Sequence, residues 1–498
     1  MLCQKKIENN IFTHLSCDMK RADLYNIYEL KKEFKDWFFF LQKKQNFKIK
    51  GVYIDSREVE KCSLFIAIVG DNNDGHNYIN QAIKNGANCI ICEKIPDNID
   101  ISRYKNVVFI MVKNSVTALQ DLARYNRSRL KAKVIGITGN IGKTTTRELI
   151  KIAVGIKYKT VSSKKNYNNH IGLPVVIANT SLDTECLVLE MGMNHIGEID
   201  FLTRIARPDI AIITKISTAH IGNFNSIDDI VRAKAEIFNS MGKDKCVILD
   251  NSSLFFNDLL SFAKKNNITN VITVGKEKAD VCLKQCYVCD DFKIKYKILI
   301  KNHEYTCKIN SIAKHNAFNS LFAFAVADIL NIDIKSVIDK FLDFQPLKGR
   351  GNFENKQMND GKNITVINDC YNSAPEALKE SIKNLHEVSL LRPKSRIVAV
   401  IGDMLELGKM SMQFHLEIAE VINANNIHNV VCVGQESRFI YDNLKQDINK
   451  KYFKNTIDCA KEILSFIKDN DILLLKASLG MHFNSLIEVL NKNSTVTQ

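Results

Sequence analysis

The sequence predicts an α/β protein of three domains: a small α/β N-terminal domain over residues 1–112, a central nucleotide-binding domain with a mostly parallel sheet over 113–345, and a doubly wound, Rossmann-like C-terminal domain over 346–498. Three observations lead there. Short apolar runs alternate with helical patterns through most of the chain, as in parallel sheets covered on both faces. A glycine-rich turn stands at one strand-to-helix junction. The length of 498 residues, 45% of them hydrophobic, suffices for two to four cores of ordinary size.

In chain order, the first 30 residues carry little signal, and the N-terminal block then offers strand-like runs at Val52–Ile54, Leu64–Val69, Cys89–Cys92 and Val107–Val112, parted by turns such as 71–75. The central block offers Val134–Thr138, Cys186–Glu190, Ile210–Thr214 and Cys246–Asp250 as strands, with a helix over Ile227–Asn239. The last block repeats the alternation at Ile364–Asp369, Ile397–Gly402, Val430–Gly434 and Ile472–Ala477.

Composition excludes several classes. No apolar run approaches the ~20 residues of a membrane span, and the N-terminus has neither the apolar core nor the cleavage site of a secretory signal, so a cytoplasmic protein is expected. Fourteen cysteines without repeated spacing suggest reduced thiols. Cys89 with Cys92, and Cys282, Cys286 and Cys289, lack the second pair of a zinc ribbon and are read as structural. The net charge of +14 comes from lysines scattered among Asn and Ile rather than from a basic block, so nucleic acid is not the expected partner.

The run 136–146, GITGNIGKTTT, has the strand–loop–helix context of a phosphate-binding loop. Backbone N–H groups at a helix N-terminus form a positive cup; Gly139, Asn140 and Gly142 shape it, Lys143 can reach terminal phosphates, and the Thr144 hydroxyl, followed by Thr145, can ligate magnesium. The glycines fall at 136, 139 and 142, not at the strict G-x4-G-K spacing. Glu190 ends an apolar run, where carboxylates point into the ligand crevice of open sheets, and with Thr144 supplies hard oxygens for magnesium. A carboxylate capping a turn is the alternative there. His220 and Lys234, taken alone, read as ordinary packed and solvated residues.

The ordered set ITGNIGKTTT, NYNNHIGLP (166–174), LEMGMNHIGEI (189–199), TAHIG (218–222), AKAEI (233–237), KHNAFN (314–319), GRG (349–351), DCYNSAP (369–375) and GDMLELG (402–408) resembles the Mur ligases of peptidoglycan synthesis. With DSR (55–57), DGH (74–76) and KASLGM (476–481), the resemblance spans residues from about 50 to 483. It implies an ATP-dependent amide ligase that joins D-Ala-D-Ala to UDP-N-acetylmuramoyl-tripeptide through an acyl phosphate, releasing ADP and phosphate. The alternatives are a sister ligase adding another amino acid and a generic phosphate-loop ATPase or kinase.

Residue by residue, the resemblance implies that Lys143 and Thr144 hold phosphates and a first Mg2+ with Glu190. It implies that His220 and Lys234, the latter as a carbamate, hold a second. Lys143, Lys234, His220 and Arg350 thereby take catalytic roles. Asn316 and Asn319 match positions near adenine, Arg350 matches an arginine reaching the terminal phosphate, and Asp369 and Asn372 match nucleotide contacts from the third domain. Ser56, Arg57, Asp74, Gly75 and His76 match the UDP-sugar region, and Asn166, Asn168 and Asn169 the muramoyl-peptide side. A monomer is implied.

The chain departs from the family pattern at Lys215 for Asn, Asn368 for Asp and Leu479 for Arg. The last bears on acceptor recognition. No Asp-Asn-Pro-Arg segment of the diaminopimelate-adding relatives is present, which favours the dipeptide-adding branch.

Overall fold

A computed structural model describes residues 23–40, 48–164, 166–217, 221–289 and 291–496. It forms two compact units: one takes the chain up to Lys131 together with Ile171–Thr184, and the other takes Ala132–His170 and the chain from Glu185 onward. Two stretches read from sequence as central, residues 113–131 and 171–184, therefore pack with the first unit. The reason is polar and buried. Asn126, on the helix Ser115–Arg129, donates from Nδ2 to the carbonyls of Ile177 and Thr180, both at 2.8 Å. The Tyr25 hydroxyl donates to the Ala178 carbonyl at 2.6 Å, and the Asn179 amide exchanges two hydrogen bonds of 2.8 Å with the backbone of Val52.

The first unit carries a five-stranded sheet in the order Phe38–Phe40, Val108–Met111, Ala87–Cys92, Ser63–Ile66, Gly51–Tyr53. It is parallel except at the Phe38–Phe40 edge. Four of these five strands were legible as apolar runs. Cys89 and Cys92 lie buried in the sheet, where burial pushes the Cys92 thiol up to about 12.

The second unit holds two sheets. The larger has nine strands, with Lys133–Thr138 between Cys186–Glu190 and Ile210–Ile213, all parallel. Beyond Asn270–Gly275 it is extended by Val281–Val288, Ile294–Ile300 and His303–Ile309, the last two added antiparallel. These strands are not among the apolar runs of the sequence, although the surroundings of Cys282, Cys286 and Cys289 are apolar or strand-like there, because exposed polar residues such as Lys284, Gln285, Lys295 and Glu304 interrupt them. Helices Lys143–Val154 and Lys314–Ile329 pack against each other on this sheet around Leu149, Ile150, Leu321 and Phe324.

The expected helix over Ile227–Asn239 is an α-helix from Ile227 to Ala235, N-capped by Ser226, followed by a 3-10 turn Glu236–Phe238. The second sheet has seven strands. Five are parallel: Asn449–Phe453, Asn429–Val433, Arg396–Gly402, Asp471–Lys476 and Asn363–Asn368. Asp471 and Arg396 pair through two hydrogen bonds of 2.7 Å at the floor of this sheet, with Asp471 fully buried.

Candidate active site

The phosphate loop leaves strand Lys133–Thr138 and enters helix Lys143–Val154 through Gly139 at φ +136 and Gly142 at φ +93. Both are left-handed values that side chains rarely adopt. At Gly142 a Cβ would also stand 2.7 Å from Oδ1 of Asn319, so the loop must pass this close to the neighbouring helix. The backbone N–H groups of Asn140 and Ile141 both donate to the Lys215 carbonyl, fixing the loop crest. Lys143 Nζ donates to the carbonyls of Gly139 and Asn140 at 2.9 and 3.0 Å, folding over the cup.

Glu190 sits at the end of its strand as the sequence predicts. Its Oε2 accepts from the Thr144 hydroxyl at 2.9 Å and its Oε1 from Asn168 Nδ2 at 2.9 Å. Arg147 was missed. It is buried, with Nη1 3.6 Å from Glu190 Oε2 and Nη2 2.5 Å from Glu148 Oε1. One turn after Lys143 on an otherwise amphipathic helix, it reads in sequence as a solvated cation, and only the fold reveals that it turns inward.

Lys143, Thr144, Asn168 and Glu190 line one cavity together with Arg350, from the link between the sheets, and Asp369 and Asn372, from the connection after strand Asn363–Asn368 of the second sheet. Asp369 is itself held: Lys476 Nζ donates to its Oδ2 at 2.7 Å and Ser381 Oγ donates to the same oxygen at 2.8 Å. His315 lines the cavity too, with its pKa lowered by burial. Burial lowers the Lys143 pKa, the nearby Glu190 opposes this, and Arg350 adds to it. Lys234 is almost wholly buried and held well below the ordinary lysine value, first by burial and then by Lys143, against the pull of Glu198, Glu190 and Glu236. His220 lies outside the described residues. Among the described residues no three His, Cys, Asp or Glu side chains cluster as a metal site.

A second cavity shares Ile141, Lys215 and His315 with the first and reaches Asn319, Phe318 and Asp250. Asn316 and Asn319 each keep one buried polar atom without a hydrogen-bond partner among the described residues, Oδ1 and Nδ2 respectively. Such orphans in a native fold call for a partner that is not protein. Asn319 lines the second cavity, whereas Asn316 lines neither and donates from Nδ2 to Ser311 Oγ at 2.8 Å.

The residues matched to the sugar nucleotide fall into two groups. In the first unit, Asp74 Oδ1 accepts from the His76 backbone N–H at 2.9 Å and contacts His76 Nδ1 at 2.6 Å, which holds the Asp74 carboxyl below its usual range. His76 Nε2 in turn accepts from the Glu93 N–H at 3.0 Å. At Gly75 a Cβ would lie 2.7 Å from the Ile68 backbone, so this turn is packed tightly onto its neighbour. Ser56 donates to Gln81 at 2.9 Å, and exposed Arg57 forms a fork with Asp55. In the second unit, Asn168 reaches Glu190, while Asn166 and Asn169 are exposed.

Fold and site together define a phosphate-loop enzyme in which a nucleotide's terminal phosphates would meet groups from two sheets. Residues 48–127, 137–327 and 352–479 match, in turn, the Mur ligase family catalytic domain, the Mur ligase middle domain and the Mur ligase glutamate ligase domain. A UDP-N-acetylmuramoyl-tripeptide–D-alanyl-D-alanine ligase of Rickettsia prowazekii is 35% identical over 437 residues, 88% of this chain and 94% of the relative. The ligase of that name from Bacillus subtilis is 31% identical, over 89% and 93% of the two chains. The crystal structure of MurF from Acinetobacter baumannii matches with a TM-score of 0.80 at 26% identity, covering 94% of this chain and 99% of that one. MurF ligase from Thermotoga maritima, solved in complex with ADP, matches with a TM-score of 0.74 at 27% identity, covering 89% and 97%. The chain belongs to the Mur ligase family.

Proposed function

We propose that this protein is an ATP-dependent ligase that joins D-Ala-D-Ala to UDP-N-acetylmuramoyl-tripeptide, acting as a cytoplasmic monomer. The observation that carries the reading is the single cavity in which the phosphate-loop residues Lys143 and Thr144, with Glu190, face Arg350 and Asp369. Relatives carrying that activity in their names align along nearly their whole length, which supports the choice of substrates. Residues 1–112 would hold the UDP-muramoyl peptide, 113–345 the ATP and 346–498 the incoming dipeptide. No helix among the described residues is long and apolar enough to cross a membrane.

A carboxylate is a poor electrophile in water, so the tripeptide's terminal carboxylate oxygen first attacks the γ-phosphorus of ATP. The bond to the bridging oxygen breaks and ADP departs. The dipeptide amine then attacks the acyl carbon, loses a proton, and phosphate leaves with the electron pair of the C–O bond. Lys143 and Arg350 offset the repulsion between carboxylate and triphosphate and the charge that builds on the transferring group. Asp369 and Asn372, in the connection that follows strand Asn363–Asn368, would bring the acceptor side against the nucleotide, and exclusion of water would protect the acyl phosphate.

The donor set suits magnesium: the Thr144 hydroxyl and the Glu190 carboxylate are hard oxygens at 2.9 Å from each other, already pointing into the cavity. His220 and Lys234 would hold a second ion. An ammonium cannot ligate a cation. Burial, however, favours the neutral amine at Lys234, the form that adds carbon dioxide to give a carbamate with two oxygens. Bound magnesium would supply charge neutralisation of the phosphates.

The test is phosphate release from ATP with magnesium, UDP-N-acetylmuramoyl-tripeptide and D-Ala-D-Ala, omitting each in turn and weighing the product. Release that needs both substrates and yields a pentapeptide supports the reading. Release satisfied only by another amine moves the chain to a sister branch, and release indifferent to the muramoyl peptide rejects the ligase.

A further inference from the structure

Arg350 sits in the short link between the two sheets of the second unit. Among the described residues no carboxylate lies within ion-pair distance of it, although it faces the cavity. Its side-chain contact is with a ring: the guanidinium carbon stands 4.1 Å from the centroid of Tyr371. Arg350 also depresses the Lys143 pKa, so two cations face one space. Such an arrangement becomes favourable when an anion sits between them. A free arginine side chain would sample many rotamers there, and stacking on an aromatic face restricts it while leaving the N–H edge open.

The backbone repeats the connection. The Tyr371 N–H donates to the Gly349 carbonyl at 2.9 Å, and the Gly351 N–H donates to the Asn368 carbonyl at 2.9 Å. Gly349 lies at φ +80, and a Cβ there would stand 3.2 Å from both N and Cβ of Tyr371. Both neighbours of Arg350 are therefore clipped to the segment that carries Tyr371, next to Asp369 and Asn372.

We propose that Tyr371 is a positioning residue that aims the Arg350 guanidinium at the terminal phosphate of the nucleotide. It acts through its ring face and not through its hydroxyl. The inference rests on the nucleotide-dependent ligase reading above and deepens it. It differs from a role as a platform for the nucleotide base, because Arg350 already covers a ring face.

The experiment compares wild type, Tyr371→Phe, Tyr371→Leu, Arg350→Ala and the Arg350→Ala/Tyr371→Leu double variant. Thermal melts confirm folding. Steady-state kinetics give kcat and KM, and calorimetry gives affinities for ATP and ADP. Loss of a ring–guanidinium contact predicts that Tyr371→Leu lowers kcat about tenfold, with KM for the dipeptide within about twofold of wild type. Tyr371→Phe should behave as wild type. Affinity for ATP should fall while affinity for ADP holds, and on the Arg350→Ala background the leucine should cost nothing further. Equal loss of ADP and ATP affinity, failure of Phe to restore function, or an undiminished effect without Arg350 would overturn the proposal. If no acceptor supports turnover the ligase reading fails, yet the ATP-over-ADP preference still tests the pair without any acceptor.

Discussion

Lys234 is a buried lysine whose ammonium form is disfavoured. An amine this buried and held well below its usual pKa makes a poor ammonium but a good partner for carbon dioxide. Replacing it by Ala should lower amide formation by about 10²–10³-fold, the scale of losing a placed electrostatic group. Wild-type activity should fall when bicarbonate is stripped from the assay and return when it is restored; a rate indifferent to bicarbonate would remove the carbamate from the account. Glu190→Gln keeps the shape and removes the charge, so we expect a higher magnesium requirement in a titration of initial rates, with the melting temperature little changed. Lys143, Thr144 and Glu190 were legible in sequence because a phosphate loop and a strand end are local features. Arg147, His315, Tyr371 and Lys476 were not, since each takes its place from burial or from a partner outside its own local pattern, as Lys476 does from Asp369.

At the level of elements, the left-handed loop of the nucleotide site and a buried histidine on helix Ser411–Ala424 give two further expectations. Gly142→Ala meets both a positive φ and the Asn319 side chain at 2.7 Å, so it should cost about 1–3 kcal/mol in denaturant unfolding and abolish nucleotide binding. His415 on helix Ser411–Ala424 is buried, accepts from the Met404 N–H at 3.1 Å and contacts the Ser411 carbonyl at 2.8 Å, and burial holds it below the ordinary histidine pKa. The unfolded chain therefore binds a proton that the fold refuses. This contribution to stability is intact above the unfolded value of about 6.5 and is lost as pH falls through it toward the lower folded value. Melting temperatures measured from pH 7.5 down to 5 should drop in wild type and drop less in His415→Gln. Strand positions read from apolar runs agreed with the structure to within three residues at each end, whereas the extension at Val281–Ile309 escaped, because exposed polar residues such as Lys284, Gln285, Lys295 and Glu304 interrupt its strands.

Across the whole molecule, every phosphate-loop and cavity residue assigned to the nucleotide belongs to the second unit. A ligand that binds only the folded state stabilises by mass action, about 2.7 kcal/mol at a hundredfold excess over Kd. Scanning calorimetry with Mg-ATP should therefore raise the transition of that unit, and a first-unit transition that rises equally would contradict the assignment. The α/β class was legible from the alternation of strands and helices. The membership of residues 171–184 was not, because it depends on Asn126 and Tyr25 finding carbonyls some fifty and one hundred and fifty positions away.

That borrowed segment has a consequence for how the chain is made. The peptide crosses between the two units after Lys131, after His170 and after Thr184. A ribosome that has released only the first 131 residues has delivered an unfinished core, in which Asn126 and Tyr25 still lack their carbonyl partners. The first unit can close only once the phosphate loop and its helix have also emerged, while that loop's own strand waits longer still, for its sheet neighbours Cys186–Glu190 and Ile210–Ile213 to follow Thr184 out of the exit tunnel.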